Sequence, residues 1–214
     1  MKPFTPAKCS WALDSGGFTE LSMYGGWKTG EVEYIDSVYR YQFELGQLDF
    51  ASPQDWMCEP QILKQTGLTV KKHQQHTISN YIALTILAPD LPFIPVLQGW
   101  NIADYHAHLE MYRKRGVDLT TEPLVGLGSV CRRQATKEIA ELVSSLYACG
   151  LKLHGFGVKT NGLAQYKSKL TSCDSMAWSF TARMEPPLPG CVGHKSCNNC
   201  MRYAEMWRKR VLAK

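Results

Sequence analysis

The sequence predicts an α/β protein built on a parallel sheet. Two observations carry that expectation. Short apolar runs that end in polar or glycine-rich residues recur along the chain, and the longer segments between them repeat their apolar residues at helical steps of three and four. A third observation sets the scale: 214 residues with 44% hydrophobic and 20% charged content suit one well-cored domain with a small appendage.

The elements follow in order. Strand 9–13 (CSWAL) stops at Asp14, before the glycines of "DSGGF". Helix 32–45 places Val32, Ile35, Tyr39 and Phe43 on one stripe, and strand 48–52 (LDFAS) follows. Helix 69–88 opens on Thr69 and closes before Pro89. Strand 93–98 (FIPVLQ) leads to helix 102–115, which Asn101 is placed to cap. Strand 122–128 (EPLVGLG) leads to helix 132–149, with Ala140, Val143, Leu146 and Tyr147 on one face and Gly150 at its end. Strands 151–157 (LKLHGFG) and 170–174 (LTSCD) complete six units. Alternation of this kind allows a doubly wound open sheet or a (β/α) barrel. No G-x-G-x-x-G or P-loop follows any strand, which removes the common nucleotide-binding reason for the open form.

The formal charge of +5 is compatible with a polyanionic partner. Residues 81–97 are the most apolar stretch, but Pro89, Asp90, Pro92 and Pro95 interrupt them, so no membrane span of ~20 residues is expected. The N-terminal residues lack an apolar core of signal-peptide length, which points to the cytoplasm. Of eight cysteines, Cys9, Cys58, Cys131, Cys149 and Cys173 are scattered and read as reduced thiols.

In a parallel barrel, chemistry gathers at the C-terminal ends of strands. Those ends hold Asp14, Asp55, Gln98, the run Gly126-Leu127-Gly128, the run His154-Gly155-Phe156-Gly157, and Asp174. Any one of these is commonly a solvated loop residue or, for Asp14, a turn cap. The full set in matching places on successive units is a candidate site.

"DSGGF" (14–18), "PVLQGW" (95–100), "VGLGSV" (125–130), "LHGFGV" (153–158) and "CDSMAW" (173–178), in this order, resemble the tRNA-guanine transglycosylase superfamily. The likeness is nearer to its 7-deazapurine DNA-modification branch of phages and genomic islands, and it covers roughly residues 10–210. The resemblance implies a TIM-type (β/α) barrel, here shortened at the N-terminal end, with a C-terminal zinc-binding segment. The division implied is 1–188 for the barrel and 189–214 for the zinc segment with a basic helix. The activity implied is exchange of guanine for a 7-deazaguanine such as preQ0 in DNA, through a covalent aspartyl-glycosyl intermediate.

By that resemblance, Asp14 is the general acid/base and Asp174 the nucleophile. Asp55 grips the guanine edge, Gln98 is its amide partner, and Gly126 and Leu127 offer backbone groups. Ser15, Gly16, Gly99 and His154 complete the expected substrate-binding set. The chemistry is consistent: base replacement with retention at C1′ needs two displacements, as in retaining glycosidases with a carboxylate nucleophile and a second acid/base carboxylate. Guanine N–H donors suit Asp55, and its O6 suits Gln98 or a backbone N–H. Phe18, Trp100, Phe156 and Trp178 are candidates for stacking on the base, with core packing as their ordinary role. No redox cofactor is called for.

"CVGHKSCNNC" (191–200) spaces Cys191, His194, Cys197 and Cys200 at three-residue steps, a pattern suited to structural Zn2+. The superfamily's zinc histidine lies farther downstream, so His73 or His76 stands as an alternative fourth ligand, and free thiols or a disulfide as the alternative to zinc. Phosphate-gripping candidates are "YRKR" (112–115), "CRRQ" (131–134) and, in the last fourteen residues, Arg202, Arg208, Lys209, Arg210 and Lys214.

The family barrel has strands before "DSGGF", whereas here only the first 13 residues precede Asp14. Six or seven units leave strand edges exposed, so a second copy or a partner subunit is expected to close the sheet. Three rivals remain: a tRNA-directed transglycosylase, a hydrolase using the same two aspartates, and a catalytically inactive zinc-containing nucleic-acid-binding protein.

Overall fold

The computed structural model describes residues 4–213. Six parallel strands lie side by side in sequence order: β1 (Trp11–Leu13), β2 (Leu48–Ala51), β3 (Val96–Leu97), β4 (Val125–Leu127), β5 (Leu153–Gly155) and β6 (Ser172–Cys173). β1 pairs with β2, and β3 through β6 form a second ladder. A parallel bridge from Ala51 to Phe93 links the two, with Ala51 N–H donating to Pro92 O and Ile94 N–H donating to Ala51 O.

The strands are shorter than the apolar runs that mark them, with residues 9–10, 93–95 and 122–124 lying ahead of β1, β3 and β4. Among the described residues no ladder joins β6 back to β1, so the expected TIM-type barrel is represented by a curled six-stranded arc without a closed ring. The curl is tight: Phe50 of β2 meets His154 of β5 edge-on at 4.9 Å between ring centres, although β3 and β4 lie between those strands.

The helices are α1 (Gly17–Tyr24), α2 (Glu31–Leu45), α3 (Pro60–Thr66), α4 (Val70–Leu87), α5 (Ile102–Lys114), α6 (Lys137–Ala148) and α7 (Thr160–Tyr166). α2, α4, α5, α6 and α7 pack in succession around the outside of the arc. Local chemistry sets their ends. Thr69 Oγ1 accepts from Lys72 N–H, Asn101 and Asp104 form a reciprocal capping box, and Thr136 caps α6. The last of these starts α6 at residue 137, later than the expected 132, because residues 131–136 form turns. The core between strands and helices includes Val38, Leu84, Leu97, Val125, Leu146 and Leu153, all essentially sealed from water. No described helix is long and apolar enough to cross a membrane.

A second, smaller core lies at the C-terminal end. α8 (Ala177–Met184) packs on α9 (Met201–Leu212) through Ala182, Cys197 and Tyr203, with Trp178 and Leu188 beside them. α8 thus packs with the cysteine segment that follows it, across the expected division at residue 188.

Candidate active site

A cavity of about 630 Å³ opens at the C-terminal ends of the strands, within the usual size of ligand pockets. Asp14, which follows β1, and Asp174, which follows β6, both line it. The curl of the sheet is what brings the outermost strand ends to one cavity. Partial burial and the nearby Asp174 charge raise the Asp14 carboxyl above the ordinary aspartate range. Asp14 is nonetheless open to solvent within the cavity, so a raised proton affinity sits where a ligand can use it.

Asp174 is held from behind. Its Oδ1 accepts from Gly157 N–H at 2.9 Å and lies 3.5 Å from His154 Nε2, while His154 Nδ1 is 2.8 Å from Ser172 Oγ. These partners engage one oxygen of a side chain that is 53% exposed, leaving the other oxygen to the cavity. His154 itself is buried behind Asp174, between Phe50 and Phe156, and is not part of the cavity wall. Its place is that of a group positioning Asp174, which differs from the substrate contact expected of it.

Asp55 forms the buried floor. Ser15 Oγ donates to its Oδ1 at 2.8 Å and Gln98 Nε2 donates to its Oδ2 at 2.5 Å. Burial first, then the Asp14 charge, raises its carboxyl to about 7, against the lowering pull of those two donors. Unfolded aspartate ionises near pH ~3.9, so the folded chain holds the extra proton between there and about 7. Stability contributed by this site is therefore expected to fall as pH rises through that window. For a guanine ligand, which the resemblance implies, affinity is expected to rise over the same range near pH 7, because only the carboxylate accepts both N–H donors of the base edge. Calorimetric titrations from pH 5.5 to 8.5 test this, and Asp55→Asn should flatten the profile.

Gln98 is fixed at every polar atom. Its backbone N–H donates to buried His108 Nδ1, its carbonyl accepts from Gln74 Nε2, and its side-chain Oε1 accepts from Ser129 Oγ at 2.6 Å. His108 is held neutral, its pKa lowered to about 3 by burial, and its Nε2 faces Gln74 O. Ser129 Oγ also accepts from Cys58 N–H and lies 3.0 Å from Glu59 Oε2, so Asp55, Gln98, Ser129 and Glu59 form one buried chain of contacts. Ser129 adopts a left-handed backbone at φ 56°, a strained state for a residue with a side chain, and these hydrogen bonds hold it there. Ser129 and Glu59 both line the cavity and were not among the expected site residues. Their only sequence signals were positions directly after "GLG" and directly before Pro60.

The glycine-rich strand end is displaced by two residues from expectation. Gly126 N–H donates to Pro95 O and Leu127 O accepts from Phe156 N–H, so both are engaged in the ladder and neither lines the cavity. Gly128 lines it instead, and a Cβ there would collide with Gln98 Nε2. The tip of Gln98 has nowhere to retreat, being bonded to Asp55 on one side and Ser129 on the other. Gly128→Ala is accordingly expected to cost about 1–3 kcal/mol of stability by overpacking and, for a guanine ligand as the resemblance implies, to weaken binding on the order of a hundredfold, read by a thermal melt beside calorimetry. Gly99 also lies off the cavity, against Tyr105. Gly16 lines it, and its φ of 78° lets the chain turn directly from Asp14 into α1.

Of the expected stacking aromatics, Phe18 and Phe156 line the cavity. Trp100 instead lies under the Arg133 guanidinium at 3.8 Å, and Trp178 packs in the C-terminal core. Arg132 lines the cavity with its guanidinium 5.5 Å from the Phe18 ring centre. Arg113, Lys114 and Arg115 end α5, which runs back from the strand ends, so they lie at the far end of the sheet from the cavity. Arg208, Lys209 and Arg210 are exposed on α9, Arg202 is bonded to Cys191 Sγ, and Lys214 lies outside the described residues.

The candidate metal centre is compact. The ligand atoms of Cys191, His194, Cys197 and Cys200 all lie within 4.8 Å of one another. The Cys191 and Cys200 sulfurs are 3.8 Å apart, too far for an S–S bond of ~2.05 Å. That spacing is the edge of a tetrahedron built on metal–sulfur bonds of ~2.3 Å, so the donor set fits a tetrahedral ion. His73 is bonded to Met57 O and Thr66 Oγ1 and His76 stacks on Trp56, so neither supplies the fourth ligand; His194, 3.2 Å from Cys197 Sγ, is in place to do so.

Parallel strands that deliver two carboxylates to a shared cavity above a third, buried one define an α/β protein with a pocket suited to acid–base and nucleophilic work on a donor-rich ligand. The chain belongs to the DpdA family, DeoxyPurine in DNA protein A, whose model matches residues 3–214. No curated protein matches the chain.

Proposed function

We propose that the protein is a base-exchanging transglycosylase that replaces guanine in DNA with a 7-deazaguanine such as preQ0, on an incomplete (β/α) barrel. The observation that carries this reading is the placement of Asp14 and Asp174 in one cavity above the Asp55–Gln98 floor. Membership of a family described by deoxypurines in DNA favours DNA over tRNA as the polymer.

Each residue then has a task. The edge of the target guanine lies against Asp55 and Gln98. A carboxylate oxygen of Asp174 bonds to C1′ as the C1′–N9 bond breaks, and guanine departs with a proton from Asp14. In the second displacement Asp14 takes the N9 proton of the incoming 7-deazaguanine, N9 bonds to C1′, and the ester to Asp174 opens to restore the carboxylate. Two inversions give retention, and neither oxidant nor water enters the balance. The raised proton affinity of Asp14 suits a group that must give and take a proton. Gly157 N–H and His154 steady Asp174 as charge leaves it.

The four C-terminal donors would hold Zn2+ in a structural role, bracing α8 directly downstream of Asp174. The reaction is tested by incubating the protein with DNA and, separately, tRNA, plus labelled guanine, preQ0 or preQ1. Label entering DNA supports the reading. Label entering tRNA alone moves the activity to the sister branch, and base release without replacement marks a hydrolase.

A further inference from the structure

Two apolar side chains at the cavity mouth are unexplained by chemistry at C1′. Met176 and Phe180 line the cavity yet are 65% and 66% exposed. Met176 immediately precedes α8 and Phe180 lies one turn into it, its N–H donating to Met176 O. The other face of α8 is anchored: Ala182 is fully buried in the C-terminal core, and Ser196 Oγ donates to Ala182 O. Phe180 is therefore a large apolar group held out at the rim by a braced helix. Arg132 and Lys159 line the same cavity and are exposed, the two cations beside the carboxylates Asp14, Asp55, Glu59 and Asp174.

We propose that Phe180, with Met176 beside it, is a wedge that enters the base stack of duplex DNA where the target guanine swings out, while Arg132 and Lys159 hold the flanking phosphates. The inference rests on the exchange reading above, and its physical basis is the gap that extrusion leaves. A base must leave the helix to reach Asp55 on the cavity floor, which breaks its pairing and its stacking on both neighbours. An apolar side chain filling that gap recovers part of the lost stacking, and cations at the mouth fix the strand on either side. A partner of this shape and charge fits the exposed pair better than free solvent does.

The test uses the full chain and duplex oligonucleotides carrying 2-aminopurine next to a guanine, with matched single strands. Phe180→Ala and the conservative Phe180→Trp are compared with wild type, each checked for zinc content and melting temperature. Wild type and Phe180→Trp should raise 2-aminopurine fluorescence on binding duplex, and Phe180→Ala should not. For label incorporation, the loss caused by Phe180→Ala on paired guanine should exceed its loss on single strands by roughly tenfold, the scale of one base–aromatic stack. Equal losses on the two substrates, or unchanged fluorescence between wild type and Phe180→Ala, would overturn the wedge. A wild type that extrudes the base in a Phe180-dependent way but incorporates no label keeps the wedge and loses the exchange reading. Incorporation into duplex unaffected by Phe180→Ala does the reverse.

Discussion

Asp174→Asn is expected to abolish base exchange, lowering kcat by about 10^4-fold or more, as removal of a covalent nucleophile does elsewhere. The substitution keeps the size of the side chain and its contact with Gly157 N–H through the amide oxygen, so the fold should melt at an unchanged temperature. Guanine should still bind, because Asp55 and Gln98 are fixed by Ser15, Ser129, His108 and Gln74 without help from Asp174. A large fall in kcat with retained base affinity separates a reacting group from a binding group. Label counting in DNA and calorimetry with free guanine measure the two halves.

The second large effect concerns the metal. One Zn2+ per chain is expected by elemental analysis, and chelation or Cys197→Ser should unfold the C-terminal core. Cys197 is fully buried, its sulfur accepts from Leu188 N–H, and it packs with Ala182 and Tyr203. That core buries few side chains, so the metal should supply most of its stability, by analogy with small zinc domains where binding contributes about 10–16 kcal/mol. Exchange should be lost with it, since α8 follows Asp174 directly and takes its footing on the same core. Circular dichroism should show loss of the two C-terminal helices while the main core, which shares no residue with the smaller one, still melts cooperatively. Retention of α8 and α9 after chelation would remove the metal from the structural role.

Much of this architecture was legible in the sequence because each strand lies in a short apolar run and the long helices carry end signals; the stripe read on helix 32–45 was not, since Val32, Tyr39 and Phe43 are exposed and Tyr34, Ile35 and Val38 face the core. Helix 69–88 was found nearly to the residue, since Thr69 and the approach to Pro89 mark its ends chemically. Short helices were not legible. α1 starts at Gly16-Gly17, which reads as a turn, and α3, α7 and α8 have only 7 or 8 residues, too few to establish a stripe. The same limit hid Phe180, whose exposure at the cavity is set by α8. At the site, Asp14, Asp55, Gln98 and Asp174 were visible because each lies just past an apolar run. The displacement from Gly126 and Leu127 to Gly128 and Ser129 was not, because the pleat and the true strand end decide which backbone groups are spent on the ladder. His108, Gln74 and Glu59 are polar residues within or beside helical patterns, and only the three-dimensional packing shows that they serve Gln98.

The proposed exchange holds a glycosyl group on Asp174 between the two displacements, and that group can be observed directly. Wild type incubated with guanine-containing DNA, without added free base, should be quenched in denaturant and its intact mass and peptide map recorded. The expected result is a DNA adduct on the peptide that contains Asp174, absent in Asp174→Asn and chased away when 7-deazaguanine is added before the quench. Exchange that proceeds in Asp174→Asn, or an adduct mapped to Asp14 or Asp55, would contradict the assignment.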